Sequence, residues 1–434
     1  MNIADLYSIF QSCSEVTTDS RNCKQNALFI ALKGVSYNGN AYAEMALSKG
    51  CSYVIVDDKE FYKKENEHYI WSENSLKTLQ ELANYHRKHF SIPLLGITGT
   101  NGKTTTKELI AAVLSTHFSV LYTEGNLNNH IGVPLTLLRL KENHEFAIIE
   151  MGASHPGDIE ELVNIAEPTC GIITNIGKAH IEGFGSIEGV KKTKEELYTY
   201  LSTQKDSLVY KNADDNVLLE LSTNKEFKQF TYGASSDCDI TGRIQSMTPF
   251  VRFEWKRQNE NTFHSIQTQL IGSYNLPNLL AAVSLGTYFK ISTEKINQAI
   301  AGYLPENNRS QLKKTQNNTL IIDAYNANPS SMQASLINFT TLPDSNKVVI
   351  LGEMRELGDI SRKEHTQLID TLKKNTFDNI YLVGKTFLCL DTNISRYGTV
   401  EELIEELRNK PLQGKTILIK GSRGVQLEKV IPLL

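Results

Sequence analysis

A glycine-rich segment between an apolar run and a helix-like run constrains the fold more than any other feature of this sequence. Residues 99–105 read GTNGKTT, with an apolar run at residues 94–97 before them and another at residues 109–114 after them. A strand, a loop and a helix in this order form a cradle whose backbone N–H groups point at phosphate oxygens. The candidate nucleotide-binding residues of this loop are Gly99, Thr100, Asn101, Gly102, Lys103, Thr104 and Thr105.

The loop departs from the most common phosphate-loop pattern, because Ile97 stands five residues before Gly102, where that pattern has glycine. A glycine-rich turn that only leads into a helix is therefore an alternative interpretation. The flanking strand and helix favour a phosphate site. In such a site Lys103 neutralises β- and γ-phosphate charge, and the Thr104 hydroxyl binds Mg²⁺.

Strand-like apolar runs alternate with helix-like segments along much of the chain, a pattern typical of parallel sheets covered by helices. The 434 residues suggest about three domains of roughly 150 residues. We predict an α/β fold with a small N-terminal α/β domain (1–90), a central P-loop NTPase-like, mostly parallel sheet (91–306) and a Rossmann-like C-terminal domain (307–434). The predicted strands of the last two domains lie at residues 93–98, 120–123, 146–150, 171–175, 207–211, 320–323, 348–351, 380–383 and 417–419.

Two carboxylates end predicted strands, at the edge of a parallel sheet where ligands bind. Glu150 follows the run at residues 146–149, and Asp323 follows the run at residues 320–322. A carboxylate at this edge is placed to hold Mg²⁺ with a nucleotide, although a polar residue at a strand exit is also common. His180 could bind a metal through a neutral ring nitrogen, but a loop histidine is more often solvated.

Lys194 falls on an apolar helical stripe, because Val190, Lys194, Leu197 and Leu201 recur at helical spacing. A buried, unpaired ammonium group is costly. The lysine can extend its charged end into water, or it can be modified or paired inside a site. The spacing alone leaves both interpretations open.

Composition excludes several classes of partner. The formal net charge is −4, without a basic stripe, so we expect no nucleic-acid partner. No apolar run approaches the roughly 20 residues that span a bilayer, and the first residues do not resemble a signal peptide. A cytoplasmic protein is therefore expected. Reduced thiols are predicted for Cys13, Cys23, Cys51, Cys170, Cys238 and Cys389, which lack metal-ligand spacing.

Taken together, these residues resemble the Mur ligase family. Residues 99–105 are similar to its nucleotide loop, residues 174–180 to its central Asn–His segment, and Lys194 to the lysine that the family carbamylates. The resemblance implies an ATP-dependent ligase that forms an acyl-phosphate, which an amine then attacks. It implies two Mg²⁺ ions, one held by Thr104 and Glu150, the other held or oriented by His180 and carbamylated Lys194. Lys103 completes the implied catalytic set.

Within the family, the branch that adds D-alanyl-D-alanine to UDP-N-acetylmuramoyl-tripeptide fits best. The matching segments are residues 18–21, 125–134, 323–329, 351–358 and 420–423, and the sequence DAYNANP at 323–329 is the most specific. The ATP contacts implied outside the loop are Asn275, Asn278, Arg309, Asp323 and Tyr325. The substrate contacts implied are Ser20, Arg21, Asn126, Asn128, Asn326 and Asn328. Asn40 and Tyr274 stand where the family usually has His.

Three rival functions remain to be separated. One is another amide ligase of the same superfamily, of the diamino-acid-adding or folylpolyglutamate type, and residues 323–329 argue against it. A non-ligating P-loop nucleotide-binding switch would not need His180, Lys194 or a second α/β domain. A degenerate ligase kept as a scaffold would not need Lys103, Glu150 and Lys194. We expect a monomer whose partners are small molecules.

Overall fold

The computed structural model describes residues 1–305 and 309–434, which form three α/β units, each built on its own sheet. The three sheets have four, nine and six strands. The predicted fold class is confirmed. The predicted domain limits remain predictions, and the limit between residues 306 and 307 lies outside the described residues. In the described part of the chain, no helix has both the length and the apolar character needed to cross a bilayer.

The N-terminal unit is a parallel four-stranded sheet with helices beside it. Its strands are β1 Val16–Thr17, β2 Leu28–Ile30, β3 Tyr53–Val56 and β4 Tyr69–Trp71. Its helices are α1 Ile3–Ser12, α2 Ala43–Ser48 and α3 Ser75–Arg87, with a 3₁₀ turn at Gly39–Tyr42. The side chains of Asn2 and Asn74 accept backbone hydrogen bonds at the starts of α1 and α3, which fixes where these helices begin.

The central unit holds the longest sheet, in the order β13-β12-β11-β10-β9-β8-β5-β7-β6. Its strands are β5 Leu94–Thr98, β6 Val120–Tyr122, β7 Phe146–Glu150, β8 Cys170–Ile173, β9 Leu208–Asn212, β10 Lys228–Gly233, β11 Ile240–Ser246, β12 Arg252–Arg257 and β13 His264–Gln267. Strands β5 to β11 pair in parallel, which confirms the predicted sheet. The parallel strands β10 and β11 and the antiparallel strands β12 and β13 extend the predicted part of the sheet and were not predicted.

Helices cover both faces of the central sheet. They are α4 Lys103–Leu114, α5 Gly132–Leu137, α6 Asp158–Ala166, α7 Ile181–Phe184, α8 Ile187–Thr203, α9 Asn216–Leu221, α10 Leu276–Tyr288 and α11 Thr293–Gly302. Helices α4 and α10 pack together over one face, while α6 and α8 pack over the other. Strands β5 and β7 are buried along their whole length, as expected for strands with helices on both faces.

The C-terminal unit is a six-stranded sheet in the order β14-β15-β19-β16-β17-β18, in which only β14 is antiparallel among the described strands. Its strands are β14 Gln311–Lys314, β15 Thr319–Asp323, β16 Lys347–Gly352, β17 Asn379–Val383, β18 Ser395–Tyr397 and β19 Thr416–Lys420. Its helices are α12 Pro329–Thr341, α13 Ser361–Lys373, α14 Lys385–Leu388 and α15 Val400–Asn409. The four strands predicted here are confirmed, and β14 and β18 were missed.

Candidate active site

The central and C-terminal sheets meet at a cavity of about 830 Å³. Strand β7 ends in Glu150 at this cavity, and strands β15 and β19 end there in Asp323 and Lys420. The predicted site residues that line it are Thr100, Asn101, Gly102, Lys103, Thr104, Thr105, Asn126, Asn128, Glu150, His180, Asn275, Asn278, Arg309, Asp323, Tyr325, Asn326 and Asn328. The predicted residues outside the lining are Gly99, Lys194, Ser20 and Arg21.

The glycine-rich loop leads directly into α4, which begins at Lys103. Gly102 adopts a left-handed backbone with φ of +79°, and a Cβ there would lie 2.7 Å from Asn278 Oδ1. Glycine is therefore required by both conformation and space. The Lys103 ammonium donates to the backbone oxygens of Gly99 at 2.7 Å and Thr100 at 3.1 Å. Burial lowers the pKa of Lys103; the charge of Arg309 acts in the same direction and that of Glu150 against it.

Two neighbouring segments fix the loop in place. The Thr174 hydroxyl donates to the Asn101 carbonyl at 2.6 Å, and the Asn175 amide donates to the same oxygen at 3.0 Å. On the other side, the Thr106 hydroxyl donates to Asn278 Oδ1 at 3.0 Å, and Asn278 donates to Asn275 at 2.9 Å. Strand β8 ends at Ile173, earlier than predicted, because the next two side chains turn to bind the loop.

Glu150 gathers polar groups at the end of β7. Its Oε1 accepts from the Thr104 hydroxyl at 3.2 Å and from Asn128 Nδ2 at 2.9 Å. Its Oε2 is buried and has no hydrogen-bond partner among the described residues. The Lys107 ammonium, also buried, lies 3.7 Å from that oxygen. An unsatisfied carboxylate oxygen beside a threonine hydroxyl fits the oxygen ligands that Mg²⁺ prefers.

The same surroundings limit what a metal could take from the protein. Within residues 1–305 and 309–434, no group of three or more His, Cys, Asp or Glu side chains could hold a metal ion. A cation at Thr104 and Glu150 would therefore need further oxygen ligands from phosphate and water, which is how Mg²⁺ is usually bound beside nucleotides. The donor set fits Mg²⁺ bound together with ATP.

Lys194 lies inside helix α8 with 2% of its surface exposed, so its ammonium does not reach water. Val190, Leu197 and Leu201 are also buried, which confirms the apolar stripe. The Lys194 Nζ lies 5.4 Å from the Phe184 ring centroid, and no ion pair joins it to a described carboxylate. Burial lowers the pKa of Lys194 well below its usual value; the charge of Lys103 acts in the same direction, against Asp158 and Glu196.

His180 faces the C-terminal unit. Its Nδ1 lies 2.6 Å from Glu356 Oε2, and this bond lowers the pKa of Glu356. Both residues have left-handed backbones, with φ of +51° and +63°. Such conformations are costly for side-chain-bearing residues and are often found at functional sites. The Phe184 ring, 6.4 Å from the His180 ring, lies next to both His180 and Lys194.

The C-terminal half of the site centres on Asp323. Its Oδ2 receives the Lys420 ammonium at 2.6 Å and the Ser335 hydroxyl at 2.9 Å. Burial alone would raise the pKa of Asp323, but the charge and hydrogen bond of Lys420 and the Ser335 bond hold it below its usual value. The guanidinium of Arg309 lies 3.7 Å from the Tyr325 ring centroid, the distance of a close cation–π contact.

Several polar contacts join the two units around the cavity. Asn328 Nδ2 donates to Asn101 Oδ1 of the phosphate loop at 2.7 Å. The Lys178 ammonium pairs with Glu364 at 2.8 Å, and His180 pairs with Glu356. The arrangement is therefore closed, with residues of the C-terminal unit touching the phosphate loop.

The predicted substrate residues of the N-terminal unit lie apart from the cavity. Arg21 is exposed and pairs with Asp19 at 2.9 Å, and the Ser20 carbonyl accepts from Lys49 Nζ at 3.1 Å. Asn40 is buried: its amide donates to Asp57 Oδ1 at 2.8 Å and its Oδ1 accepts from the Asp57 backbone N–H. Asn40, which stands where the family usually has His, therefore joins the 3₁₀ turn at Gly39–Tyr42 to the loop that follows β3.

Sequence reasoning assigned no role to several residues that shape the site: Lys107, Glu356, Lys420 and Ser310. Lys107 could have been found from its position, four residues after Lys103 and on the same face of α4. Glu356 and Lys420 belong to segments that were noted for their resemblance. The hydroxyls of Ser310 and Tyr274 lie 3.0 Å apart and form a hydrogen bond between the two units, in which either group can donate.

Comparison with protein-family models gives three matches along the chain. The model described as "Mur ligase family, catalytic domain" matches residues 12–87, "Mur ligase middle domain" matches residues 97–286, and "Mur ligase, glutamate ligase domain" matches residues 308–423. Together the matched ranges include strands of all three sheets.

Individual proteins resemble the chain over nearly its whole length. The UDP-N-acetylmuramoyl-tripeptide–D-alanyl-D-alanine ligase of Bacillus subtilis (strain 168) is 34% identical over 427 residues, covering 96% of this chain and 92% of the relative. A crystal structure of MurF from Acinetobacter baumannii superposes with a TM-score of 0.87 at 26% identity, covering 99% and 98% of the two chains. MurF ligase from Thermotoga maritima in complex with ADP gives a TM-score of 0.86 at 25% identity, covering 98% and 97%.

Proposed function

The chain belongs to the Mur ligase family, and we propose that it joins D-alanyl-D-alanine to the terminal carboxylate of UDP-N-acetylmuramoyl-tripeptide in peptidoglycan precursor synthesis. It is an ATP-dependent, amide-bond-forming ligase. The observation that carries the proposal is the 34% identity, over 96% of the chain, to the Bacillus subtilis ligase of that name. The site agrees with it, because a phosphate loop and a carboxylate lie at one cavity between two units.

The reaction transfers the γ-phosphoryl group of ATP to the tripeptide carboxylate and releases ADP. The amine of D-alanyl-D-alanine then attacks the acyl carbon; the C–N bond forms, the C–O bond to phosphate breaks, and inorganic phosphate leaves. Lys103 and Arg309 would spread the charge of the triphosphate, since both are cationic and line the cavity. Mg²⁺, held by Thr104 and Glu150, would neutralise further phosphate charge.

We propose that Lys194 reacts with carbon dioxide to form a carbamate. Burial favours the neutral amine, whose lone pair attacks the carbon of CO₂; the C–N bond forms, a C=O π bond opens, and a proton leaves. The product is a carbamate anion, whose burial requires a compensating cation. With His180 it could hold or orient a second Mg²⁺, and the nearby Phe184 ring would keep this region apolar.

The substrate contacts are also proposals. Ser20 and Arg21 would bind the uridine nucleotide, Asn126 and Asn128 the acceptor peptide, and Asn326 and Asn328 the dipeptide. Contacts between the units would exclude water from the acyl-phosphate, which hydrolyses readily. ATP and UDP-linked precursors are metabolites of the cytoplasm, so we place the reaction there. A monomer remains a prediction.

Phosphate release from ATP tests the proposal. We expect release only when UDP-N-acetylmuramoyl-tripeptide and D-alanyl-D-alanine are both present. Phosphate release that depends on glutamate or on a diamino acid, and not on the dipeptide, would indicate one of the other amide ligases. Phosphate release without any amine would indicate a nucleotidase that does not ligate. Lys103→Ala should abolish turnover, because it removes a cation from the phosphate loop. Lys192→Ala, which alters an exposed lysine, is the control.

A further inference from the structure

We infer that Tyr274 is a positioning residue for Arg309, on which it acts through a hydrogen bond to Ser310. The inference rests on the proposed function, in which Arg309 contacts the phosphates of ATP. It deepens that function by assigning a role to one of the two positions at which this chain departs from its family.

Tyr274 lies in the 3₁₀ turn Ser273–Asn275, which precedes α10 in the central unit. Its ring rests on Gly272, which has φ of +92°, and a Cβ at Gly272 would overlap the ring. Its hydroxyl lies 3.0 Å from Ser310 Oγ in the first segment of the C-terminal unit. Either hydroxyl can donate, so the contact satisfies both groups. Tyr274 of the central unit therefore fixes the position of Ser310 in the C-terminal unit.

Ser310 needs such support, because its backbone is left-handed, with φ of +48°. This conformation is costly for a residue with a side chain, and surrounding contacts must hold it. Two contacts do so: the Tyr274 hydroxyl bonds its side chain, and its backbone N–H donates to Asp323 Oδ1 at 3.4 Å. The backbone direction at Ser310 sets where the preceding residue, Arg309, points.

Arg309 is arranged to meet an anion. Its guanidinium carbon lies over the Tyr325 ring, 3.7 Å from the ring centroid, and Arg309 lines the cavity. Its Nε is buried and lacks a hydrogen-bond partner in the part of the chain that the structure describes. A buried donor without a partner is costly unless a ligand satisfies it. Arg309 and Lys103 both line the cavity, and the charge of Arg309 contributes to lowering the pKa of Lys103.

Binding of a non-hydrolysable ATP analogue with Mg²⁺, measured by titration calorimetry on the full chain, tests this link. The variants are Tyr274→Phe, Ser310→Ala, the two combined, and Tyr274→Phe in an Arg309→Ala background. We expect each single change to weaken binding about fivefold, the usual effect of one lost hydrogen bond. The pair should be no weaker than either single variant. Tyr274→Phe should have no further effect once Arg309 is gone.

Tyr210→Phe is the matched control, because the buried Tyr210 hydroxyl has no hydrogen-bond partner among the described residues. Its binding constant should equal that of the unchanged protein, and its melting temperature should be equal or higher, because the change removes a buried hydroxyl that has no described partner. Additive losses for Tyr274→Phe and Ser310→Ala, an undiminished effect in the Arg309→Ala background, or a loss that only follows a lower melting temperature would overturn the inference. If the unchanged protein fails to bind the analogue, the proposed function itself is wrong.

Discussion

The central and C-terminal units each bury a lysine close to the shared cavity, and the two lysines have opposite surroundings. The ammonium of Lys420 in the C-terminal unit lies 2.6 Å from Asp323 Oδ2. Lys194 of the central unit faces the Phe184 ring, and burial favours its neutral form. Both lysines are buried, but one forms an ion pair and the other has no ion-pair partner among the described carboxylates. The two lysines therefore differ in whether a carboxylate lies beside the amine, and not in how deeply they are buried.

Lys194→Ala is the change with the largest expected effect, because it removes the group that we propose to become an anion. Turnover should fall by about a hundredfold or more, the loss typical of metal-ligand shells, and bicarbonate should not restore it. Phosphate release at saturating substrates measures the loss. Lys192→Ala, two residues away and exposed, should behave like the unchanged protein. Full activity of Lys194→Ala would remove this lysine from the site.

Lys420→Met tests the other side of the comparison. It leaves Asp323 buried without its cation, and the free energy of unfolding should fall by about 3 kcal/mol, the cost of breaking a buried pair. Urea denaturation gives this value. Lys429→Met breaks an exposed ion pair with Glu401 and should change stability far less. If both variants lowered the free energy of unfolding equally, the buried pair would contribute no more to stability than the exposed pair.

The fold was largely predictable, but only part of the site was. Strands such as β7 and β15 are apolar runs that end in a carboxylate, so a local pattern marks both the strand and its functional end. Strand β12 was missed because polar residues such as Arg252, Glu254 and Lys256 interrupt its apolar ones. Lys107 was missed because a charged residue on a helix is most often solvated, whereas this one is buried against Glu150.

Contacts between units were beyond the reach of local patterns. Asn101 and Asn328 are 227 residues apart, and Tyr274 and Ser310 are 36 residues apart and belong to different units. Their pairing depends on how two separately folded sheets come together, and no periodicity or spacing in one segment encodes that. The resemblance named Asn101 and Asn328 as candidate residues, and the structure shows that the two are hydrogen-bonded to each other.

Glu356→Ala should loosen the contact between the units without altering either core. It removes the His180 pair, which is partly exposed, so we expect a loss of a few-fold in kcat/KM and a larger radius of gyration by X-ray scattering. Glu401→Ala breaks a pair within the C-terminal unit and serves as the control. A scattering curve identical to that of the unchanged protein would show that this contact does not hold the units together.

The smallest expected effect concerns His365, which supports the segment that carries Glu356. Its Nε2 accepts from the Met354 backbone N–H at 2.9 Å, and burial lowers its pKa despite the nearby Ser361 carbonyl and carboxylates. The unfolded chain therefore binds a proton more readily below pH 6.5, so stability should be full above that value and decline as pH falls. Urea denaturation between pH 5 and 7 should show a shallower decline for His365→Gln. If the stability of both proteins declined equally as pH falls, His365 would make no contribution to this pH dependence.

The bond from Asn328 to Asn101 has a consequence for the order of events in a catalytic cycle. The loop that would grip the triphosphate is itself held by the opposite unit, so the two units cannot part while the loop keeps its full set of bonds. We therefore expect separation of the units, which breaks this bond, to accompany the departure of ADP. A more viscous solvent should slow that step, and with it the steady-state rate, while leaving the first turnover unaffected.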